Sequence, residues 1–184
     1  MEAVPYLANP KLHDRVAQKV RQYFETNIAW LDYIFPIARV GENAEGNTYP
    51  QIYKGDGSED HYDIRPDWSV DSYCFFELID AVSLIDEEEG TDYRFNVIFY
   101  ARLDKAFPAK NYDYTAELIA EVIFHLKSVT LMAHEIEYYT NPEEIFIRYS
   151  ELEQAATQML MKNGTAFKIS FFMKDFEDCY ELVT

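Results

Sequence analysis

The histidines and cysteines are the residues of this sequence that could hold a transition metal. They are His13, His61, His125, His134, Cys74 and Cys179. A zinc site on a helix needs two histidines four residues apart, and a closed site needs clustered cysteine and histidine ligands. Neither spacing occurs in the sequence. We therefore predict no metal and no cofactor.

An acidic stretch over residues 56–63 is similar to half of a calcium-binding loop. Oxygen-bearing side chains alternate at Asp56, Ser58 and Asp60. The glycine that such a loop requires is replaced by His61, and no glutamate stands at the closing position. This stretch predicts an acidic hairpin tip rather than a calcium site.

Catalytic motifs do not appear in the sequence either. No glycine-rich loop precedes a helix in the way that phosphate binding needs, and there is no Gly-x-Ser-x-Gly nucleophile motif. The 33 acidic residues could include a catalytic pair, but no pattern selects one. We expect a protein without catalytic residues. A carboxylate-dependent enzyme stays open as a further hypothesis, which a concave pocket with perturbed acids would support.

Composition narrows the class of protein. The 184 residues fit a single domain over 1–184, and 48% hydrophobic residues suffice for a packed core. A net charge of −17 disfavours binding to duplex nucleic acid and to anionic membranes. No apolar run is long enough to span a bilayer, and the first residues lack a signal-peptide pattern. We expect two free thiols rather than one disulfide.

Two amphipathic helices are predicted over residues 10–26 and 114–127. Asn9 suits the N-cap of the first helix and Pro10 its first helical position. Apolar residues recur on one face of each helix: Leu12, Val16 and Val20 in the first, Leu118 and Val122 in the second. A capping box at residues 150–153 opens a short third helix.

Strands account for most of the remaining pattern. The apolar segment 28–40, which is interrupted at Pro36, predicts an extended connection or a short strand. A hairpin is predicted for residues 49–53 and 61–64, closed through residues 54–60. Residues 73–79 and 93–102 should pair antiparallel, because their acidic link is too short for a crossover helix. Residues 166–173 form the last strand. The expected inward-facing residues are Phe95, Val97, Phe99 and Phe171.

The grouping of these elements predicts an α+β fold. We expect a mostly antiparallel sheet with the two main helices packed on one face, a hairpin excursion and an extra short helix. Strands 73–79, 93–102 and 166–173 should lie in one sheet.

Five predicted elements span most of the chain: the glycine hairpin with residues 49–53, the aromatic strands at 73–78 and 93–100, the helix around 116–119 and the strand at 167–172. In this order they resemble the tail terminator or tail completion proteins of tailed bacteriophages. The resemblance implies a homomeric ring, typically a hexamer, that caps the tail tube and docks to the connector below the portal. It implies a virion protein of the tail or neck that assembles in the host cytoplasm. Residues 128–164 are an addition relative to smaller members, so another neck or connector protein is an alternative.

The acidic charge agrees with a ring through which DNA passes without being bound, because like charges keep phosphate from adhering. Candidates for the lining of that lumen are Asp56, Glu59 and Asp60, at the hairpin tip. The alternative is that these three residues form a solvated turn.

A second function from a different class also fits the charge. An acidic cytosolic inhibitor or immunity protein could mimic nucleic acid and block a basic nuclease or toxin, with its charge raising the association rate. The mass in solution discriminates between the two, since an inhibitor is expected to be a monomer that binds a basic partner.

Overall fold

The computed structural model describes residues 6–7, 10, 13–53, 61–64, 70–83, 91–110, 112–129, 133–161 and 164–175. The helices are α1 (His13–Asn27), α2 (Leu103–Ala106), α3 (Thr115–Val129), α4 (Pro142–Ile145) and α5 (Ser150–Met161). The strands are β1 (Tyr33–Glu42), β2 (Thr48–Tyr53), β3 (His61–Asp63), β4 (Ser72–Ser83), β5 (Thr91–Arg102), β6 (Ala133–Tyr139) and β7 (Gly164–Asp175).

The strands form one seven-stranded sheet in the order β3-β2-β1-β4-β5-β7-β6. Every neighbouring pair is antiparallel except β1 and β4, which run parallel. The predicted α+β class and the mostly antiparallel sheet are therefore confirmed. Residues 73–79, 93–102 and 166–173 lie in the adjacent strands β4, β5 and β7, as predicted.

One face of the sheet packs into a core that includes residues of both α1 and α3. Alternation along β5 and β7 points aromatic and branched side chains to this face. The candidate core residues described in the structure are each at most 1% exposed: Val16, Val20, Phe95, Val97, Phe99, Leu118, Val122 and Phe171. Leu12 lies outside the described residues.

The opposite face packs against α4 and α5. Its core contains Phe75 of β4, Tyr100 of β5 and, from the helical segment, Phe146 and Leu152. Asn141 opens α4 by accepting a hydrogen bond from the Glu143 backbone N–H, with Pro142 at the first helical position. The chain is therefore layered, with helices on both sides of the sheet.

Three local expectations need correction or completion. Helix α1 is described from His13, and Pro10 lies outside it, while the side-chain amide of Gln18 bonds both the N–H and the C=O of Leu7. The predicted N-cap residue Asn9 lies outside the described residues. Strand β1 continues through Pro36 to Glu42, since the register shift between Ile34 and Ile37 removes the need for a donor there. The predicted hairpin is the β2–β3 pair, whose connection at 54–60 lies outside the described residues.

Cys74 lies buried in β4 and is a free cysteine within the described part of the chain. Burial raises the pKa of its thiol well above the usual value, so the folded chain keeps the thiol protonated. Cys179 lies outside the described residues.

Candidate interaction surface at the edge of the sheet

A row of polar side chains crosses the centre of the sheet on the α4–α5 face. Glu77, Asn96 and Ser170 stand in register on β4, β5 and β7, and all three are buried. Asn96 Nδ2 donates to Glu77 Oε2 at 2.9 Å, and Ser170 Oγ donates to Asn96 Oδ1 at 2.5 Å. We call these three residues the polar row. Each member satisfies a neighbour, as buried polar groups must.

Charged and phenolic groups from the α4–α5 segment and from strands β6 and β7 surround the polar row. Arg148 Nη1 lies 3.4 Å from Glu77 Oε1. Burial, and then the charge of Glu77, raise the pKa of Tyr149. Lys168 is also buried, donates to the Glu144 carbonyl and lies 4.4 Å from the centre of the Tyr139 ring. Burial lowers the pKa of Lys168. This arrangement holds the helical segment against the sheet.

The geometry of the polar row suits a structural role. Neither surface pocket described below is lined by its residues. Among the described residues, no group of three or more histidine, cysteine, aspartate or glutamate side chains could hold a metal ion. Side chains that are more accessible to solvent lie at the end of the sheet formed by β6.

Among the strands that the structure describes, β6 is the last of the sheet, and it pairs with β7 on one side. Its register shifts between His134 and Glu137, and Glu135 has a φ of 49° in the left-handed region. This bulge separates a distorted first half from a regular second half. In the regular half, Tyr138 is 59% exposed.

An apolar groove of about 620 Å³ lies between α3, β6 and β7. We call it the α3–β6 groove. Its lining includes Asp113, Ala116, Ile119, Ile123 and Tyr138. Asp113 accepts the Thr115 N–H and hydroxyl at 2.9 and 2.7 Å, and these bonds lower its pKa. Beside Ile123, Phe124 is 65% exposed. Large exposed apolar side chains at a groove are typical of a protein-binding surface.

Acidic side chains follow the same end of the sheet. Glu135 and Glu137 lie on β6, and Glu143 and Glu144 lie on α4, which follows β6 directly. All four are exposed. Within the described part of the chain, none of these carboxylates forms an ion pair. We call these four residues the acidic edge.

A second pocket, of about 350 Å³, lies towards the other end of the sheet between α1, β1 and β2. We call it the α1–β2 pocket. Its lining includes His13, Asp14, Ile37, Arg39 and Tyr53. The His13 ring lies 3.7 Å from the Asp14 carboxylate, whereas Arg39 is exposed and has no ion pair to a described residue.

The residues predicted to line a lumen belong to a different part of the chain from the α3–β6 groove and the acidic edge. Asp56, Glu59 and Asp60 lie outside the described residues, so the structure does not place them. Sequence reasoning missed the α3–β6 groove, because only the strand order shows that β6 is an edge. One available signal was Phe124, which follows the apolar stripe of the second helix without belonging to it.

Comparisons of the chain with family models, with curated proteins and with solved structures found no match. No described helix has the length and apolar character needed to cross a membrane.

Proposed function

We propose that this chain is a structural protein of a phage tail or neck, which forms a homomeric ring that ends the tail tube and docks to the connector. The hexameric state is the one implied by the resemblance of the element order. The main structural observation in support is the exposed end of the sheet at β6, where the α3–β6 groove opens on one face and the acidic edge continues from β6 into α4 on the other. In this proposal the chain acts in the virion and has no catalytic turnover.

Exposed apolar surface beside an edge strand favours assembly. Tyr138 and Phe124 are both more than half exposed, and β6 has no strand beyond it among the described residues. Edge strands and apolar patches that face water are surfaces where another chain adds to a sheet or packs on it. A monomer would leave the two aromatic side chains and the free edge of β6 exposed to water.

The net charge of −17 sets a condition for assembly. Copies of the chain repel one another, and this repulsion is screened beyond about 10 Å at 0.1 M salt. Assembly therefore requires salt, or the end of the tail tube as a template. The same charge lets DNA pass through the ring without adhering, with Asp56, Glu59 and Asp60 as candidates for the lining.

Mass photometry of the purified chain between 0.1 and 1 M salt, alone and with a candidate tail-tube protein, tests the proposal. We expect a species of six copies, visible as rings by negative-stain electron microscopy. A chain that stays monomeric under all these conditions would rule out the ring. If that monomer instead bound a basic nuclease, the acidic inhibitor would become the better hypothesis.

A further inference from the structure

We infer that an extended segment of another protein, in which basic and apolar residues alternate, adds as a strand to the free edge of β6. Its apolar side chains enter the α3–β6 groove, and its basic side chains meet the acidic edge on the opposite face of the sheet. This inference goes beyond the proposed ring, because it concerns a different protein and applies to a single copy of the chain.

The regular half of β6 offers backbone groups to such a strand. Glu137, Tyr138 and Tyr139 pair with β7 on one side, and no described strand lies on the other side. A strand that is paired on one side only leaves N–H and C=O groups facing solvent, and an extended peptide can bond to them. The bulge at Glu135 distorts the first half of β6, so the added strand should pair with the regular half.

Alternation along β6 gives the added strand two different surroundings. Glu137 lies opposite Ser170 of the polar row, and Tyr138 lies opposite Ile169 of the α1–α3 core. Opposite residues of an antiparallel pair point to the same face, so Glu137 points to the α4–α5 face and Tyr138 to the α1–α3 face. An added strand alternates in the same way and places one set of its side chains on each face.

The α3–β6 groove is an apolar site for the first set of side chains. Tyr138 lies on one side of the groove and is 59% exposed, and Ala120 and Ile123 of α3 lie on the other side. The short side chain of Ala120 leaves room for a branched side chain such as valine. Removal of these apolar surfaces from water favours association.

The acidic edge selects basic residues for the second set. Glu137 is exposed beside the position of the added strand, and its carboxylate accepts the Tyr139 hydroxyl at 2.7 Å. Glu143 and Glu144 are exposed on α4, which packs on the same face of the sheet through Ile145. Lysine or arginine side chains on that face of the added strand complement these carboxylates.

The described cations on this face have other partners. Arg148 pairs with the carboxylate of the polar row, and Lys168 is buried and donates to the backbone carbonyl of Glu144. Arg94 lies over the Phe172 ring, 5.5 Å from its centre. Among the described residues, no cation forms an ion pair with the acidic edge. The edge therefore keeps its carboxylates for a basic partner.

A second copy of the chain does not supply this strand. The strands at the two edges of the described sheet, β3 and β6, contain no lysine or arginine. Lysines and arginines occur on the described strands β1, β5 and β7, each of which is paired on both sides. Pairing of two β6 strands would bring glutamates of both copies together, and like charges across a strand pair are destabilising. The occupant is therefore a different protein, which in the proposed ring is a docking partner rather than a neighbouring copy.

Peptides that differ only in residue order test this inference. The ligand is a dye-labelled peptide in which lysine alternates with valine, and the matched control has the same residues in two blocks, all valines before all lysines. Fluorescence anisotropy with the full chain measures binding. The alternating peptide should bind about tenfold more tightly, because only alternation puts each residue type on its own face of the sheet.

Backbone methylation separates edge pairing from charge attraction, which a chain of net charge −17 exerts on any cationic peptide. Alternate N–H groups of a strand point to the same edge, so methylation of the lysine backbone nitrogens blocks one edge and methylation of the valine nitrogens blocks the other. One of these two peptides should lose binding, and the other should keep it. Equal binding of both methylated peptides and the unmethylated peptide would overturn strand addition.

Two changes in the chain locate the site. Glu137→Lys should weaken binding of the alternating peptide about tenfold, because it puts like charges across the new strand pair. Tyr138→Thr removes the ring from the groove but keeps a residue suited to strands, and it should weaken binding by a similar factor. Glu45→Lys is the matched control, since Glu45 is exposed in the turn between β1 and β2, and it should leave binding unchanged. Circular dichroism melting curves establish that each variant folds.

Failure of this inference and failure of the ring are distinguishable. Equal affinities for the alternating and block peptides, or equal losses for Glu137→Lys and Glu45→Lys, would show charge attraction alone and overturn the added strand. Such a result leaves the ring standing, since mass photometry of the chain measures it separately. A chain that binds the alternating peptide at β6 but never assembles would keep the added strand and overturn the ring.

Discussion

The two faces of the sheet are built by different kinds of interaction. On the α1–α3 face, Phe95 stacks on Phe171 at 5.8 Å and Phe99 on Phe167 at 4.8 Å, with helix residues closing over them. On the α4–α5 face, the polar row and the buried Lys168 interrupt an otherwise apolar core of aliphatic and aromatic side chains.

The two faces therefore have different roles: the α1–α3 face provides tight apolar packing, and the α4–α5 face provides specific positioning. Packed apolar side chains contribute most of the stability but tolerate rearrangement as long as the volume is filled. The polar row ties β4, β5 and β7 in one register, because a slip of one residue would turn Glu77 towards the phenylalanine core. The face with hydrogen bonds therefore fixes where α4, α5 and the adjoining acidic edge lie.

The largest expected effect is on the apolar face. Phe95→Ala should reduce the free energy of unfolding by about 3–5 kcal/mol, since the ring is fully buried and its loss leaves a cavity. Chemical denaturation followed by fluorescence measures this change. Ile79→Ala is the control at a partly exposed position of β4, where the loss should be much smaller. A loss below about 1 kcal/mol for Phe95→Ala would contradict its place in the core.

A smaller effect is expected at the polar row. Glu77→Ala should cost about 1–3 kcal/mol, because it leaves the buried amide of Asn96 without its acceptor. Arg148→Ala, which removes the partly exposed ion-pair partner, should cost less than about 1 kcal/mol. The same denaturation experiment compares the two variants. Equal losses for both would show that the ion pair, rather than the hydrogen bond within the sheet, holds this face.

The smallest expected effect appears in alkali. The pKa of Tyr149 is raised in the folded chain, so its contribution to stability is complete below about pH 10 and is lost as the pH rises further. Tyr149→Phe removes this loss and should retain about 1 kcal/mol more stability than the natural chain between pH 8 and 11. Parallel denaturation curves for the two chains at both pH values measure the difference. Identical pH dependence would contradict the effect of burial on this phenol.

The core strands were predictable because their pattern is local. Alternation along residues 93–101 shows which side of β5 is apolar, and the short acidic link forces β4 and β5 to pair antiparallel. The path of β1 through Pro36 was not predictable in the same way, since a proline ends a strand unless a register shift accommodates it.

The candidate surface depends on long-range pairing, which no local pattern encodes. Tyr138 is exposed because β7 places β6 at the end of the sheet, and that order follows from contacts between distant segments. The helix pattern predicted the buried stripe of α3 well. It did not indicate that Ile123 would line a groove open to solvent.

The place of β7 between β5 and β6 has a consequence for how the chain is made. A ribosome completes β6 before it begins β7, so β6 leaves the exit tunnel without the strand that it pairs with. Until β7 arrives, the nascent chain leaves one edge of β5 and the facing edge of β6 unpaired. Insertion of β7 then pairs both strands in one step, which makes β7 the point at which synthesis commits the described sheet to its native strand order.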